Sequence, residues 1–345
     1  MDPDSEFVFE LQVCQWAERD WPPERARPRP ILIARQLGTK RRRWDTIVIE
    51  CDPDALETRA RFGRKRLDSD LLDVLRHAPE EWAWYRDALP DPGYPWRYVR
   101  ESIHRADDRE ILETRTRGNR LQIRRRWAYP DWVERIVAIE NKPDFDASAA
   151  RALTDQLQRD VAVGLADEVW VATAGGREQF ERALLEDVPV EVGILLVEGR
   201  DAEAVWQPRS LSPDQPGTRI EQRPDGGERD ASAARFSYVD PDWKREKRLA
   251  IAERAYERGF RSYVKTMRPD CRHFELDDVP AGFLPHCDAK SCHQTASECR
   301  GGCPEYEPEP PTWRTGGWPI DGGPGAGIRR LLERQRLRTR PGLDE

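Results

Sequence analysis

Five short apolar runs constrain the fold of this chain more than any other feature. They are "PILIARQL" from residue 30, "WDTIVIECD" from 44, "RIVAIENK" from 135, "DEVWVAT" from 167 and "VEVGILLVE" from 190. Each has the length of a strand, and within most of them apolar residues are consecutive rather than alternating. That pattern suits strands covered on both faces, which in turn requires helices to supply the covering layers. Leu153, Leu157, Val161 and Leu165 recur at helical spacing between the third run and the fourth. Strand, strand, strand, helix, strand is the order of a mixed α/β core. The first two runs are joined by "GTKRRR", a basic turn of hairpin length.

The remaining segments arrange themselves around that core. "EFVFELQVCQWAE" near the start reads in part as a helix, although its opening residues alternate. Residues 1–53 and 128–200 form the core, and 54–127 form an inserted unit. There, "LDSDLLDVLRHA" carries Asp68 as an N-cap, "WRYVRESIHRA" is helical, and "EILETRT" and "RLQIRRRW" flank the turn "RGN". Helices followed by a small basic hairpin suggest a winged-helix-like insertion, with a solvated hairpin as the alternative. Residues 201–240, rich in Pro, Gly, Asp and Arg, read as a linker or irregular cover. A capped helix and a cysteine cluster occupy 241–305, and 306–345 is a Pro/Gly-rich tail.

Charge and cysteine usage narrow the function classes. A net charge of -7 argues against a wholly basic nucleic-acid coat and permits a local basic channel. No apolar stretch reaches the length of a membrane span, and the acidic start "MDPDSEFVFE" is unlike a secretory leader, so a cytoplasmic location is expected. Seven cysteines in such a chain favour a metal site over a disulfide framework.

The third run poses a chemical question, because it passes directly from "IVAI" to Glu140, Asn141 and Lys142. Side-chain alternation places Glu140 and Lys142 on one face of the strand. If the strand beginning at Asp45 pairs antiparallel with it, Asp45 joins them at one sheet end. Two carboxylates there suit magnesium or manganese. A lysine beside them can orient or deprotonate a water, or neutralise charge developing on a phosphate. An ordinary ion pair at a strand end is the competing explanation. Lysine occurs only at 40, 65, 142, 244, 247, 265 and 290, and arginine supplies the other basic positions, so Lys142 is a distinctive choice.

This pattern of Asp45 followed by Glu140-Asn141-Lys142 resembles the PD-(D/E)xK nuclease superfamily, over roughly residues 6–200. The resemblance implies a restriction-endonuclease-like fold and phosphodiester hydrolysis, with Asp45, Glu140 and Lys142 catalytic and Asp45 and Glu140 holding Mg²⁺ or Mn²⁺. It further assigns Gln156, in the helix after the third strand, and Glu10, in the first helix, to the same site. Asp45 and Glu140 lie further apart in sequence than the superfamily's usual spacing. More narrowly, the chain resembles an uncharacterised halophilic-archaeal family with "AIENKPD" and a terminal cysteine cluster.

The cluster itself offers Cys271, Cys287, Cys292, Cys299 and Cys303. "CRGGC" resembles a metal knuckle with one extra residue. Cys271, Cys287, Cys299 and Cys303 are the expected ligands, with Cys292 as the alternative, for zinc or for an iron–sulfur cluster. Some nucleases of the same superfamily complete an iron–sulfur cluster with a cysteine ahead of the core, where Cys14 lies here. A buried apolar contact is the other reading of Cys14. Arg117, Arg120, Arg124 and Arg125 on the basic hairpin are expected to contact nucleic acid, DNA in the first instance. The expected function is therefore a metal-dependent nuclease or nuclease-derived DNA-processing enzyme, with a catalytically inactive nucleic-acid-binding protein of the same fold as the alternative. Oligomeric state is not legible.

Overall fold

The computed structural model describes residues 6–23, 30–174, 187–222, 235–260, 271, 273–279, 282–293, 299 and 302–307. Nearly all of the tail expected over 306–345 lies outside them. In chain order the elements of the first half are α1 (Glu6–Asp20), β1 (Ile31–Gly38), β2 (Arg43–Cys51), α2 (Pro53–Ala60), α3 (Ser69–His77), β3 (Ala83–Trp84), α4 (Tyr85–Ala88), α5 (Trp96–Asp108), β4 (Leu112–Arg117) and β5 (Arg120–Arg125). They continue with β6 (Val133–Asn141), α6 (Ala147–Val163), β7 (Glu168–Thr173), β8 (Gly193–Glu198), β9 (Asp201–Trp206), β10 (Gly217–Gln222), β11 (Arg235–Val239), α7 (Pro241–Arg258), β12 (Phe274–Val279), β13 (Gly282–Cys287) and β14 (Cys292–His293).

The five apolar runs become five strands of one six-stranded sheet, ordered β1-β2-β6-β7-β8-β9. β1, β2 and β6 are successively antiparallel, β6, β7 and β8 are parallel, and β9 returns antiparallel to β8. The fold class is α/β, as the runs imply. On one face Leu153 and Leu157 of α6 and Ile251 and Ala255 of α7 pack over Ile47, Ile49, Ile136 and Val169. On the other, α1 covers Val48, Val137, Ile139 and Trp170. Alternate residues of β2 and β6 thus enter opposite cores, which is why their sequences show no polar face. α1 lacks a clear helical period for a related reason: Phe7, Val8, Phe9, Leu11, Val13, Cys14 and Trp16 are all buried, so little polar stripe remains.

α6 is the crossover between the parallel strands β6 and β7. The Asp146 carboxylate accepts from the Ala149 amide at its start, and Gly164, at φ 56°, ends it in the left-handed conformation. In the insertion, Asp68 caps α3 as expected, accepting from Leu71 N. A third apolar cluster, including Leu71, Leu75, Val99, Ile103 and Ile123, holds its helices to a small sheet ordered β3-β5-β4. A buried ion pair fastens this unit to the core. Arg59 of α2 donates two hydrogen bonds of 2.6 Å to Glu253 of α7, and Tyr129 Oη and Leu67 N each donate to the same carboxylate at 2.7 Å.

Where a linker or irregular cover is expected over 201–240, the described residues include three strands. β9 joins the main sheet through a turn at Gly199, φ 60°, and its Ala202 and Ala204 pack on the α1-side core. β10 and β11 pair with each other. Alanine is too weakly apolar, and the segment too rich in turn residues, for its alternation to stand out in the sequence. Among the described residues, no helix is long and apolar enough to cross a membrane.

Candidate active site

The antiparallel register of β2 and β6 pairs Thr46 with Ile139. One step further toward the sheet end it sets Asp45 opposite Glu140. Asn141 N confirms the alignment by donating to Asp45 Oδ2 at 3.1 Å, across 96 residues of sequence. The inserted unit leaves this pairing intact because it departs and returns at the opposite end of the two strands.

Glu140 is 3% exposed and fully engaged. Gln156 Nε2 on α6 donates to its Oε2 at 2.6 Å, placing the expected glutamine in the expected site. Arg42, from the β1–β2 turn, donates to Glu140 Oε1 at 2.5 Å and to Asp160 Oδ2 at 2.7 Å. Burial, followed by the Asp45 charge, pushes the Glu140 pKa up to about 8 even though Arg42 opposes the rise. Two carboxylates facing each other in a desolvated corner repel, and a cation between them would relieve the repulsion.

Glu10 joins the cluster from α1. Arg35 grips it with two bonds, Nε to Oε1 at 3.1 Å and an NH2 contact to Oε2 at 2.7 Å. Burial raises the Glu10 pKa in spite of that grip. Gln36 Nε2 bridges Glu10 Oε1 at 3.0 Å and Asp45 Oδ1 at 3.1 Å. Gln36 adopts φ 53°, a left-handed backbone that is uncommon away from glycine and associated with functional sites. The alternation of β1 slips there, so Leu37 shares a core with Leu32 and Ala34.

Lys142 lies just past the end of β6, with its Nζ 2.7 Å from Glu6 Oε1. Desolvation lowers its pKa, but the Glu6 bond and the charges of Asp45 and Glu140 outweigh it and give a net rise. Lys142 is therefore an ammonium near the carboxylates rather than a free amine, which suits charge neutralisation better than proton abstraction.

The sequence reading misses Arg35, Gln36, Arg42 and Asp160. Asp160 had a signal, since it follows Gln156 by four residues and so lies on the same face of α6. Arg42 is masked within the run Lys40 to Arg43.

That basic turn also lines a cavity of about 830 Å³ beside the site. Lys40, Arg41, Arg43, Arg159, Arg219 and Arg254 contribute to its wall, with Asp160 and Glu221 as its carboxylates among the described residues. Trp243 lines it too, with the Arg219 guanidinium 4.6 Å from its ring centroid. The hairpin arginines are more committed. Arg124 Nε donates to Glu113 at 2.9 Å, Arg125 pairs with Glu80 at 3.0 Å, and Arg120 lies 4.7 Å from the Trp84 ring centroid. Arg117 is exposed at the turn, across from Arg120 in the register.

Cys271, Cys287, Cys299 and Cys303 line one small cavity of about 20 Å³ together with His273 and His286, while Cys292 is exposed. Lys290 lies near Cys303, Cys287 and Cys292. Slight desolvation acts against its charge, but its hydrogen bond to Cys303 prevails and raises its pKa. Among the described residues no three of these thiols lie within 4.8 Å of one another, so they share a cavity without forming a ready tetrahedral set. Cys14 is fully buried within the α1-side core, its Sγ 3.4 Å from Thr46 Oγ1, and burial pushes its pKa up to about 12. It is an inert core thiol.

No curated protein and no solved structure matches the chain. A family of unknown function, DUF5787, matches residues 32–308, a span that takes in the sheet, the insertion and the cysteine cavity, and the chain belongs to that family.

Proposed function

We propose that this protein is a metal-dependent nuclease, or a DNA-processing enzyme derived from one, acting on phosphodiester bonds at the Asp45–Glu140 end of the sheet. The observation that carries the reading is the pairing of those two carboxylates, with Gln156 on Glu140 and the Lys142 ammonium alongside. The element order α1-β1-β2-β6-α6-β7 supports the resemblance to the PD-(D/E)xK nucleases and their restriction-endonuclease-like core. Asp45 and Glu140 would hold Mg²⁺ or Mn²⁺, which supplies Lewis-acid stabilisation of phosphate charge when bound. Gln156 fixes the Glu140 carboxylate, Lys142 adds positive charge, and the basic cavity draws the polyanion toward them. Cys271, Cys287, Cys299 and Cys303 would hold zinc or an iron–sulfur cluster as a structural staple.

DNA as the partner is supported by the insertion. After α2, its order α3, β3, α4, α5, β4, β5, with the sheet arranged β3-β5-β4, supports a winged-helix-like reading. The test is cleavage of single- and double-stranded DNA with Mg²⁺ or Mn²⁺, comparing the wild type with Lys142→Ala and Glu140→Gln. Metal-dependent cleavage lost in both variants is expected. Cleavage that survives Glu140→Gln would place the chemistry elsewhere. A second reading, a nucleic-acid-binding protein without turnover, is favoured by the occupation of Glu140 by Arg42 and of Lys142 by Glu6. DNA binding without cleavage under any of these conditions would decide for it.

A further inference from the structure

The hairpin carrying Cys287 presents a second set of donors that owes nothing to sulfur. β12 and β13 pair antiparallel with Glu275 directly opposite His286, and His286 is in turn opposite His293 of β14. Asp277, two residues beyond Glu275, lies on the same face. One ligand atom from each of Glu275, Asp277 and His286 falls within 4.8 Å of the other two, the single such group of His, Cys, Asp or Glu among the described residues. The cysteine thiols share their cavity at wider spacing.

The surroundings of these three side chains are those of a supported coordination set. His293, whose side chain is 4% exposed, places Nε2 2.9 Å from Asp277 Oδ2. The Asp288 carboxylate lies 3.4 Å from His286 Nδ1. Metal-bound carboxylates and imidazoles characteristically have such partners, which fix their orientation and, for histidine, the tautomer. Asp288 on Nδ1 leaves Nε2 for a ligand. The rings of His286 and His293 lie edge to face, 5.3 Å apart between centroids, so each limits the orientation of the other.

We propose that Glu275, Asp277 and His286 form a metal site beside the thiol cavity, whose wall His286 also reaches, and distinct from the Asp45–Glu140 carboxylates, for a divalent first-row cation of the zinc–manganese class. One imidazole nitrogen with two carboxylate oxygens suits these ions better than it suits calcium or magnesium, which take oxygen donors. Glu275 is exposed, so water completes the coordination on that side. The site thereby ties β12 to β13, and through the His293–Asp277 contact to β14. His293 and Asp288 are positioning residues.

The test uses Mn²⁺ on the full chain, because thiolates compete poorly for it. Bound Mn²⁺ is counted by electron paramagnetic resonance in the wild type, in Glu275→Gln/Asp277→Asn and in Glu140→Gln. Neither Glu275 nor Asp277 borders the cysteine cavity, so their substitution leaves that centre in place. The double variant should lose one zinc-displaceable equivalent, and because Glu140→Gln removes only the equivalent held at the Asp45–Glu140 end, combining the two sets of substitutions should remove both. Equal binding by the wild type and the double variant would overturn the site. A measurement that needs no substitution guards against misfolding: pulsed resonance of Mn²⁺ on the wild type should show imidazole nitrogen coupling. The Asp45–Glu140 cluster has no histidine among the residues described around it, so absence of that coupling would also overturn the proposal.

Discussion

Arg42 ties Glu140 to Asp160, its guanidinium 2.5 Å from Glu140 Oε1 and 2.7 Å from Asp160 Oδ2. One cation thus serves two buried carboxylates from different elements, and a third, Asp45, stands across the strand pair from Glu140. The arrangement is short of positive charge at the point where the proposed chemistry requires a metal.

That shortage has a pH signature. Burial and Asp45 raise the Glu140 pKa from 4.5 to about 8, so the folded protein holds this proton more tightly than the unfolded chain. The resulting stabilisation is fully present below about pH 4.5, the ordinary value, and is lost as pH rises through 8. Glu140→Gln should therefore gain stability relative to the wild type between pH 5.5 and 8.5, by up to about 1.4 kcal/mol per pH unit. Urea unfolding at three pH values in that window reads this directly, and parallel pH profiles for the two proteins would contradict it.

The charged wall of the large cavity predicts where polyanions bind. Charge reversal at Arg159 and Arg219 should weaken DNA binding and lower the slope of log affinity against log salt by roughly 0.7–0.9 per lost phosphate contact. Reversal at Arg124 and Arg125, which already face Glu113 and Glu80, should have the smaller effect. Titrations at several salt concentrations would show the reverse ranking if the hairpin is the main contact.

The Arg59–Glu253 pair is a stability determinant. Both side chains are almost wholly buried, and Glu253→Ala would strand Arg59, Tyr129 Oη and Leu67 N without their acceptor. A loss of about 3–5 kcal/mol is expected by chemical denaturation. Arg59→Met/Glu253→Leu should restore part of it, since a packed apolar pair removes the uncompensated charge while Tyr129 Oη and Leu67 N stay without that acceptor.

Elemental analysis of the purified protein should find zinc, or iron with acid-labile sulfide, bound through the thiol cavity. Cys303→Ser should lower that content, while Cys14→Ala, remote in the α1-side core, should leave it unchanged. Metal content insensitive to Cys303→Ser would remove this centre from the account.

What the sequence determined by itself is whatever depends on neighbours along the chain. The five strands, α6 with its Asp146 cap, α3 with its Asp68 cap and the hairpin of β4 and β5 follow from periodicity and capping, which act over a few residues. Asp45 and Glu140 are legible because a buried strand that ends in charge is costly without a purpose, whereas Gln156 is reached only through the resemblance to the PD-(D/E)xK nucleases. The tertiary structure alone decided how those residues are held. Gln36 reaches both Glu10 and Asp45 only because its backbone turns left-handed, and Arg42, one of four consecutive basic residues, is singled out only by the closure of the β1–β2 turn over α6. Arg120, Arg124 and Arg125 of the hairpin meet Trp84, Glu113 and Glu80, and Glu275 meets His286 through strand pairing. In each case the deciding term is a contact between elements distant in sequence, whose strength depends on burial and geometry that no local pattern carries.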